Sequence, residues 1–448
     1  GVSSAASDVY KRQVWVTIDV PSDTPTDEYK GKIIITPEQG KALTLDIYLE
    51  VQDLVLPPPS EWSYHLDLWQ NPYAVSRVHN VKLWSEEHFA RLKPLMTMLA
   101  EAGQKCITTG IVHKPWNGQT QDHFESMIDW KKKRDGSWEY DYTDFDRWVE
   151  FAHEVGITEQ INCYTMVPWE MSFRFYDEEQ GRFDTLKALS GTQEYNDLWE
   201  PFLVDFARHL KSKNWFEKTT IAMDERPMED MKHVINLVKS VDPEYKISLA
   251  GDYHDEIADE IYDLCLTSSI NLSKEFIAKR SGAGKHTTYY TCCIEPYPNN
   301  FTFSPPAEGT WQAWHAAHKG YNGYLRWAYN SWVIDPMIDS RFRRWPAGDT
   351  YLVYPDARSS IRFERLREGI QDFEKIRIIK ARLKGNGNIV LMDSLNNHLR
   401  KFKISNLENT SASDMVNVGK ELINKISKDM ITRFHQMDGK DSIYVPGW

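Results

Sequence analysis

The sequence predicts a (β/α)8 barrel, preceded by a truncated β-sandwich and followed by a helical appendage. Three observations predict it. Short apolar strands alternate with helical stretches between residues 62 and 384, and such alternation implies a parallel sheet. The alternation occurs eight times over roughly 320 residues, within the usual size of a closed barrel. No strand runs into a Gly-rich phosphate-binding turn, which weakens the open doubly wound sheet as the alternative.

Residues 1–13 (GVSSAASDVYKRQ) show no hydrophobic period and no secretory apolar core, and the first residue is Gly1 rather than Met. They read as a foreign leader of the kind left by adapter read-through, and they are set aside from the fold. If a signal peptide was lost upstream, a periplasmic or extracellular location is expected. Segments 14–20, 29–36 and 43–51 alternate apolar and polar residues in the strand manner. Three strands cannot close a sandwich, so residues 14–58 are expected to be the remnant of an N-terminal β-sandwich. Pro57, Pro58 and Pro59 form a stiff extended connection.

The barrel is expected over residues 59–385. Its strands are predicted at 64–68, 106–111, 160–164, 219–223, 247–250, 264–266, 288–293 and 323–327. Its helices are predicted at 86–101, 142–154, 195–211, 227–240, 256–262, 274–279, 310–318 and 360–384. Beyond that, 389–403 and 413–436 read as helical, making residues 386–448 a C-terminal helical appendage.

Composition narrows the function. The 448 residues carry 65 acidic and 53 basic side chains, a net charge of −12. A nucleic-acid binder would show a basic excess, so no nucleic-acid partner is expected. No apolar run reaches the roughly 18 residues of a membrane span. The aromatic load is high, with 17 Trp, 22 Tyr and 18 Phe. Part must fill the core, and part suits a wall on which sugar rings stack. Cys106, Cys163, Cys265, Cys292 and Cys293 all fall in apolar strand-like runs. Buried free thiols are expected there. Scattered histidines without an HExxH or a Cys/His knuckle predict no metal site. His315 and His318 share a helix with Trp311 and Trp314 and read as an interfacial face. Lys131-Lys132-Lys133-Arg134 reads as a solvated loop.

A barrel carries its site at the C-terminal ends of its strands. The fourth strand runs into Asp224-Glu225-Arg226-Pro227. Helix capping accounts for one acid before a helix and poorly for two. Close like charges raise one of the two pKa values, which keeps an acid protonated near neutral pH. Conventional glycosidases need two carboxyls facing each other across the sugar, about 5–5.5 or 6.5–9.5 Å apart. Neighbours on one chain fit better a route in which the sugar's 2-acetamido group is the nucleophile. The eighth strand adds Trp327, Asn330 and Trp332, the first adds Asp67, Trp69 and Asn71, the fifth adds Asp252, and the loop after the seventh adds Tyr297. These are the candidate sugar-binding residues, and Asp224 and Glu225 the candidate catalytic ones.

Met223-Asp224-Glu225-Arg226-Pro227 resembles the catalytic region of glycoside hydrolase family 123 and of the wider group called domain of unknown function 4091. Asp67-Leu68-Trp69-Gln70-Asn71-Pro72 agrees, as do Gly323-Tyr324-Leu325-Arg326-Trp327 with Asn330 and Trp332, and Gly348-Asp349-Thr350-Tyr351 with Ser360-Ile361-Arg362. The likeness runs from about residue 62 to 384. Arg226 intervenes before Pro227 where the family often places Pro at once. The resemblance implies an exo-acting, retaining N-acetyl-β-galactosaminidase type of reaction through an oxazoline, with a glycan as partner and no cofactor. It implies that Asp224 orients the acetamido group, that Glu225 is general acid then base, and that Trp327 and Trp332 line the pocket. A conventional glycosidase pairing one of the two acids with Glu295, and a non-catalytic carbohydrate-binding barrel, are the rival readings. The sequence assigns no oligomeric state.

Overall fold

The computed structural model describes residues 15–438. They divide into two compact units, one of residues up to Val55 with those from Asn424 on, the other Leu56–Ile423. In the first unit β1 (Glu28–Ile35) and β2 (Leu43–Glu50) form an antiparallel two-stranded sheet in the register Glu28 to Glu50. Residues 15–20 of the predicted first strand form no strand, and Val14 lies outside the described residues. A sandwich remnant is therefore visible only as this hairpin.

The larger unit holds the barrel. In chain order its elements are β3 (His65–Leu68), α1 (Pro72–His79), α2 (Glu86–Ala100), β4 (Cys106–Gly110), β5 (Asp129–Lys132), β6 (Trp138–Asp141) and α3 (Thr143–Glu154). Then come β7 (Gln160–Tyr164), β8 (Ser172–Asp177), β9 (Arg182–Lys187), α4 (Gln193–Ser212), β10 (Thr219–Met223), α5 (Met228–Val241), β11 (Lys246–Gly251) and α6 (Asp255–Ala258). The last are β12 (Asp263–Thr267), α7 (Lys274–Gly282), β13 (His286–Tyr290), α8 (Ala307–Lys319), β14 (Gly323–Arg326), α9 (Ile361–Gly385) and α10 (Ile389–Leu399). A further helix, α11 (Ala412–Asp438), begins in the larger unit and has its residues from Asn424 on in the smaller one.

Eight strands pair in parallel in the order β3-β14-β13-β12-β11-β10-β7-β4. All eight predicted barrel strands are present. Their runs are continuous and apolar because both faces are covered. Between β4 and β3 the ladder narrows to one bridge, Leu66 to Gln104, with Lys105 N–H donating to Leu66 O at 2.9 Å. Glutamine side chains stand in for the missing rungs. Gln104 Oε1 accepts from Leu68 N–H (3.0 Å), Gln104 Nε2 donates to Cys106 O (2.7 Å), and Gln70 Oε1 accepts from Thr108 N–H (2.9 Å). These amides satisfy backbone groups that would otherwise be buried unpaired.

A second sheet was not expected from the sequence. It has the order β6-β5-β8-β9 and is built from the loops after β4 and β7. The supposed loop Lys131–Arg134 contributes the end of β5 and the turn after it, and Lys131 pairs with Glu178 (3.2 Å) just past the end of β8. Much of the aromatic load is core: Trp148, Trp199, Trp311, Trp314 and Trp332 are fully buried.

At the seam of β14 and β3, Gly323 lies opposite His65. A Cβ at Gly323 would overlap the His65 carbonyl, which is backbone and cannot yield. Gly323→Ala should destabilise the barrel by about 3 kcal/mol, the upper range of overpacking. The midpoint of urea unfolding measures it, and a midpoint within error of wild type would refute the close approach.

Candidate active site

At the C-terminal ends of the strands lies a cavity of about 260 Å³. Asp224 and Glu225 follow β10 directly. The helix after them begins at Met228 with Pro227 as its N-cap and no side-chain cap, so neither acid is spent on capping. Among the described residues they are the only carboxylates lining this cavity.

The two acids have different surroundings. Asp224 is 9% exposed. Its Oδ2 accepts from the Trp169 indole N–H at 2.8 Å, and Arg226 Nε lies 3.5 Å from Oδ1. Burial pushes the Asp224 carboxyl above its ordinary value, while Arg226 and the Trp169 N–H pull it back. Glu225 accepts a short hydrogen bond on Oε1 from the Tyr290 hydroxyl at the end of β13. Burial and this carboxylate push the Tyr290 phenol well up, so it stays a donor. Gly251 ends β11 under Glu225, where a Cβ would come within 3.5 Å of the Glu225 Cα and Cγ.

Aromatic rings form the walls. Trp69 stacks on Trp116 (centroids 4.7 Å, 24°) and leans on Tyr164. Trp327 meets Trp345 edge to face at 6.1 Å. Trp69, Trp169, Trp327 and Trp345 all line the cavity. Of the sequence-predicted residues, the structure thus brings Asp224, Glu225, Trp69 and Trp327 together.

It places the others elsewhere. Asn71 caps α1 by accepting from Ala74 N–H (3.1 Å), and its backbone exchanges bonds of 2.9 Å with the Asn330 amide in both directions. This pair ties the loops after β3 and β14, and Asn330 is buried outside the cavity lining. Trp332 is core, its N–H donating to Val353 O at 2.8 Å. Both were expected at the barrel mouth because they closely follow the eighth strand, but the chain turns inward after Arg326, where the ladder ends. Asp252 is exposed outside the cavity lining. Tyr297 lines a separate surface cavity with Glu295, His318 and Lys319. Asp67 lies inside the barrel, accepting from Asn162 Nδ2 at 3.1 Å.

Trp169, Tyr290, Gln119 and Trp345 escaped the sequence reading. Tyr290 carried a weak signal, since it lies within the predicted seventh strand, which the structure ends there. Trp169 and Trp345 sit in long loops whose course the sequence does not reveal. Cys292 and Cys293 were expected in a strand; β13 stops at Tyr290, and both thiols are free, partly exposed and in the cavity wall.

The catalytic-domain model described as "Glycoside hydrolase 123, catalytic domain" matches residues 69–379. The chain belongs to glycoside hydrolase family 123. It is a glycosidase by that membership, and its substrate is a glycan. A family 123 glycoside hydrolase from Clostridium perfringens, described in terms of glycolipid glycan hydrolysis, superposes with a TM-score of 0.85 at 29% identity. The match covers 93% of this chain and 79% of that one. The β-galactosidase of the psychrophilic Marinomonas ef1 gives a TM-score of 0.43 at 8% identity over 72% of this chain and 60% of that one, and carries no argument. A curated isoleucine–tRNA ligase from Pelagibacter ubique (strain HTCC1062) is 77% identical over 26 residues, only 6% of this chain and 3% of that enzyme, and shows no family.

Asp67 yields a prediction about stability. Burial, then the neighbouring Asp263, raise its pKa from 3.8 to about 7. The folded chain therefore holds a proton that the unfolded chain releases, between about pH 4 and 7. Stability from this group is complete below pH 3.8 and is lost as pH rises through 7. The loss is on the order of 4 kcal/mol at 1.36 kcal/mol per unit. Asp67→Asn, which cannot ionise, should flatten that part of the pH–stability curve measured by urea unfolding from pH 4 to 8. An unchanged slope would show that Asp67 is ionised throughout.

Proposed function

We propose that this family 123 enzyme is an exo-acting, retaining β-N-acetylhexosaminidase of the N-acetyl-β-galactosaminidase kind, working through the substrate's 2-acetamido group. One observation carries the reading. The acids in the cavity wall are chain neighbours, and among the described residues no third carboxylate lines the cavity. This supports a route in which the substrate supplies the nucleophile rather than a carboxylate facing a general acid. Glu295, the residue a conventional pair would need, is engaged in its own loop: its Oε2 accepts from Cys292 N–H at 2.8 Å and its Oε1 from Ser268 at 3.3 Å.

In this mechanism Asp224 accepts the acetamido N–H and turns the amide oxygen toward the anomeric carbon. That oxygen attacks as the glycosidic bond breaks, giving an oxazolinium ion. Glu225 gives its proton to the leaving oxygen and then takes one from the water that opens the ring. The hydroxyl of Tyr290 fixes the Glu225 rotamer. Two displacements return the original anomer. The likeness to the Clostridium perfringens enzyme supports a glycolipid or related glycoconjugate as the source of the sugar.

Release of 4-nitrophenol tests this with the β-N-acetylgalactosaminide, the β-N-acetylglucosaminide and the plain β-galactoside. Hydrolysis should be confined to N-acetylated substrates and fall about 10²–10⁴-fold in Glu225→Gln, the usual worth of a general acid. Comparable cleavage of the plain galactoside would sink the acetamido mechanism, and a glycosyl azide formed by an acid variant would establish a covalent nucleophile in its place. Trp169→Phe removes a hydrogen bond that favours ionised Asp224. Its pKa should rise further, and the acidic limb of the kcat/KM profile should move to higher pH. A limb that stays fixed would disconnect Asp224 from it.

A further inference from the structure

The loop after β13 puts two adjacent thiols into the wall that also carries Asp224 and Glu225. Both cysteines are free and partly exposed. Their backbone is pinned. Cys292 N–H donates to Glu295, and Asn299 Nδ2 donates to Cys292 O and to Glu295 O, each at 2.7 Å. Asn299 Oδ1 in turn accepts from the fully buried Arg326 at 2.8 Å. A loop held in this way cannot swing a modified side chain out of the cavity.

We propose that Cys293 is a modification site at which a low-molecular-weight disulfide closes the sugar cavity. The Cys293 thiolate attacks one sulfur of R–S–S–R. The bond Cys293–S–S–R forms, the R–S–S–R bond breaks, and R–S⁻ leaves, so that one thiolate is consumed and one released. Cys292 favours the reactive form. The two adjacent thiols act on each other so that the Cys293 thiol is lowered and the Cys292 thiol raised. Nearby Asp349 and Glu295 act in the opposite sense on Cys293, as does burial. A glutathionyl group carries more heavy atoms than a pyranose, and the cavity holds only about 260 Å³. The adduct and the sugar compete for one space.

This inference rests on the cavity being the catalytic centre, so its test reads labelling separately from turnover. The full chain is treated with glutathione disulfide, or with methyl methanethiosulfonate as the small-adduct probe, and modified cysteines are mapped by mass spectrometry. Cys293 should be labelled, and saturating N-acetylgalactosamine should slow the labelling at least five-fold. Hydrolysis of whichever nitrophenyl glycoside is cleaved should fall more than ten-fold with glutathione disulfide, less with the methylthio group, and return with dithiothreitol. Cys293→Ser should hold its own untreated rate under the same treatment. Absence of labelling, labelling that the sugar does not slow, or inactivation that survives in Cys293→Ser overturns the proposal. If none of the glycosides is cleaved, the mass-spectrometric map decides on its own, because selective labelling of Cys293 over the other four cysteines needs neither turnover nor bound sugar, and its absence overturns the proposal.

Discussion

The mouth of the barrel hangs on one guanidinium that has no access to solvent. Arg326 ends β14, and its charge is met by Asp349 at 2.9 Å, with both side chains 0% exposed. A buried charge is tolerable only when paired and hydrogen-bonded. The second face of the fork therefore donates to Asn299, which holds the Cys292–Glu295 turn. Arg362 adds a parallel tie, donating to Asn300 O and Gly348 O at 2.8 Å each. Three stretches that are distant in sequence are thereby brought into register around the cavity. Trp327 immediately follows Arg326, and Trp345 lies shortly before Asp349, so two of the four lining tryptophans are placed by the same knot. What reads as a set of separate loops in the sequence is mechanically one object.

The same logic separates the roles of two neighbouring acids. Asp224 is buried and receives an indole N–H and a guanidinium, both of which favour its ionised form. Glu225 receives a phenol hydroxyl from the opposite side of the barrel. Chain neighbours can differ in this way because successive residues leaving a strand point to different sides, and β7, β11 and β13 supply different partners. A lone acid at a helix N-terminus would have been explained by the helix. Here the helix begins after Pro227, and the acids stand free of it.

How much of this was legible follows from what each element depends on. The eight barrel strands were readable because strands buried on both faces are short, mostly uncharged runs between helical stretches, as at Thr219–Met223 and Lys246–Gly251. The second sheet was not, because Trp138–Asp141 or Arg182–Lys187 mixes charge and aromatic residues over four to six positions. Its central pairing, β5 with β8, joins segments from different barrel loops. Residues 15–20 have strand-like alternation but join no strand ladder among the described residues, and pattern alone does not make a strand. In the site, Asp224, Glu225, Trp69 and Trp327 were found because they abut strand ends. Asn330 and Trp332 were misplaced because they stand four and six positions beyond Arg326, the last paired residue of β14, where the chain has turned inward to meet Tyr351 and Val353.

Confinement of both acids to one wall also bears on the energetics of the proposed reaction. A solvated carboxylate would gain little as positive charge develops on an oxazolinium ring, since water already stabilises it. Asp224 is poorly solvated, and its ionised form is favoured by one fixed donor, the Trp169 indole N–H, and by the nearby Arg226 charge. Charge that appears beside it during ring closure is met by a dipole and a carboxylate already in place, in a medium of low dielectric. Such an arrangement favours the transition state over the neutral ground state, which is the difference that accelerates a reaction. The tryptophan walls contribute by excluding water from the same side. A facing carboxylate would add a nucleophile, and it would also repel Asp224 and draw solvent inward. On this reading the missing third acid is part of the design of the cavity, because the acetamido group can act as nucleophile only where no stronger one competes for the anomeric carbon.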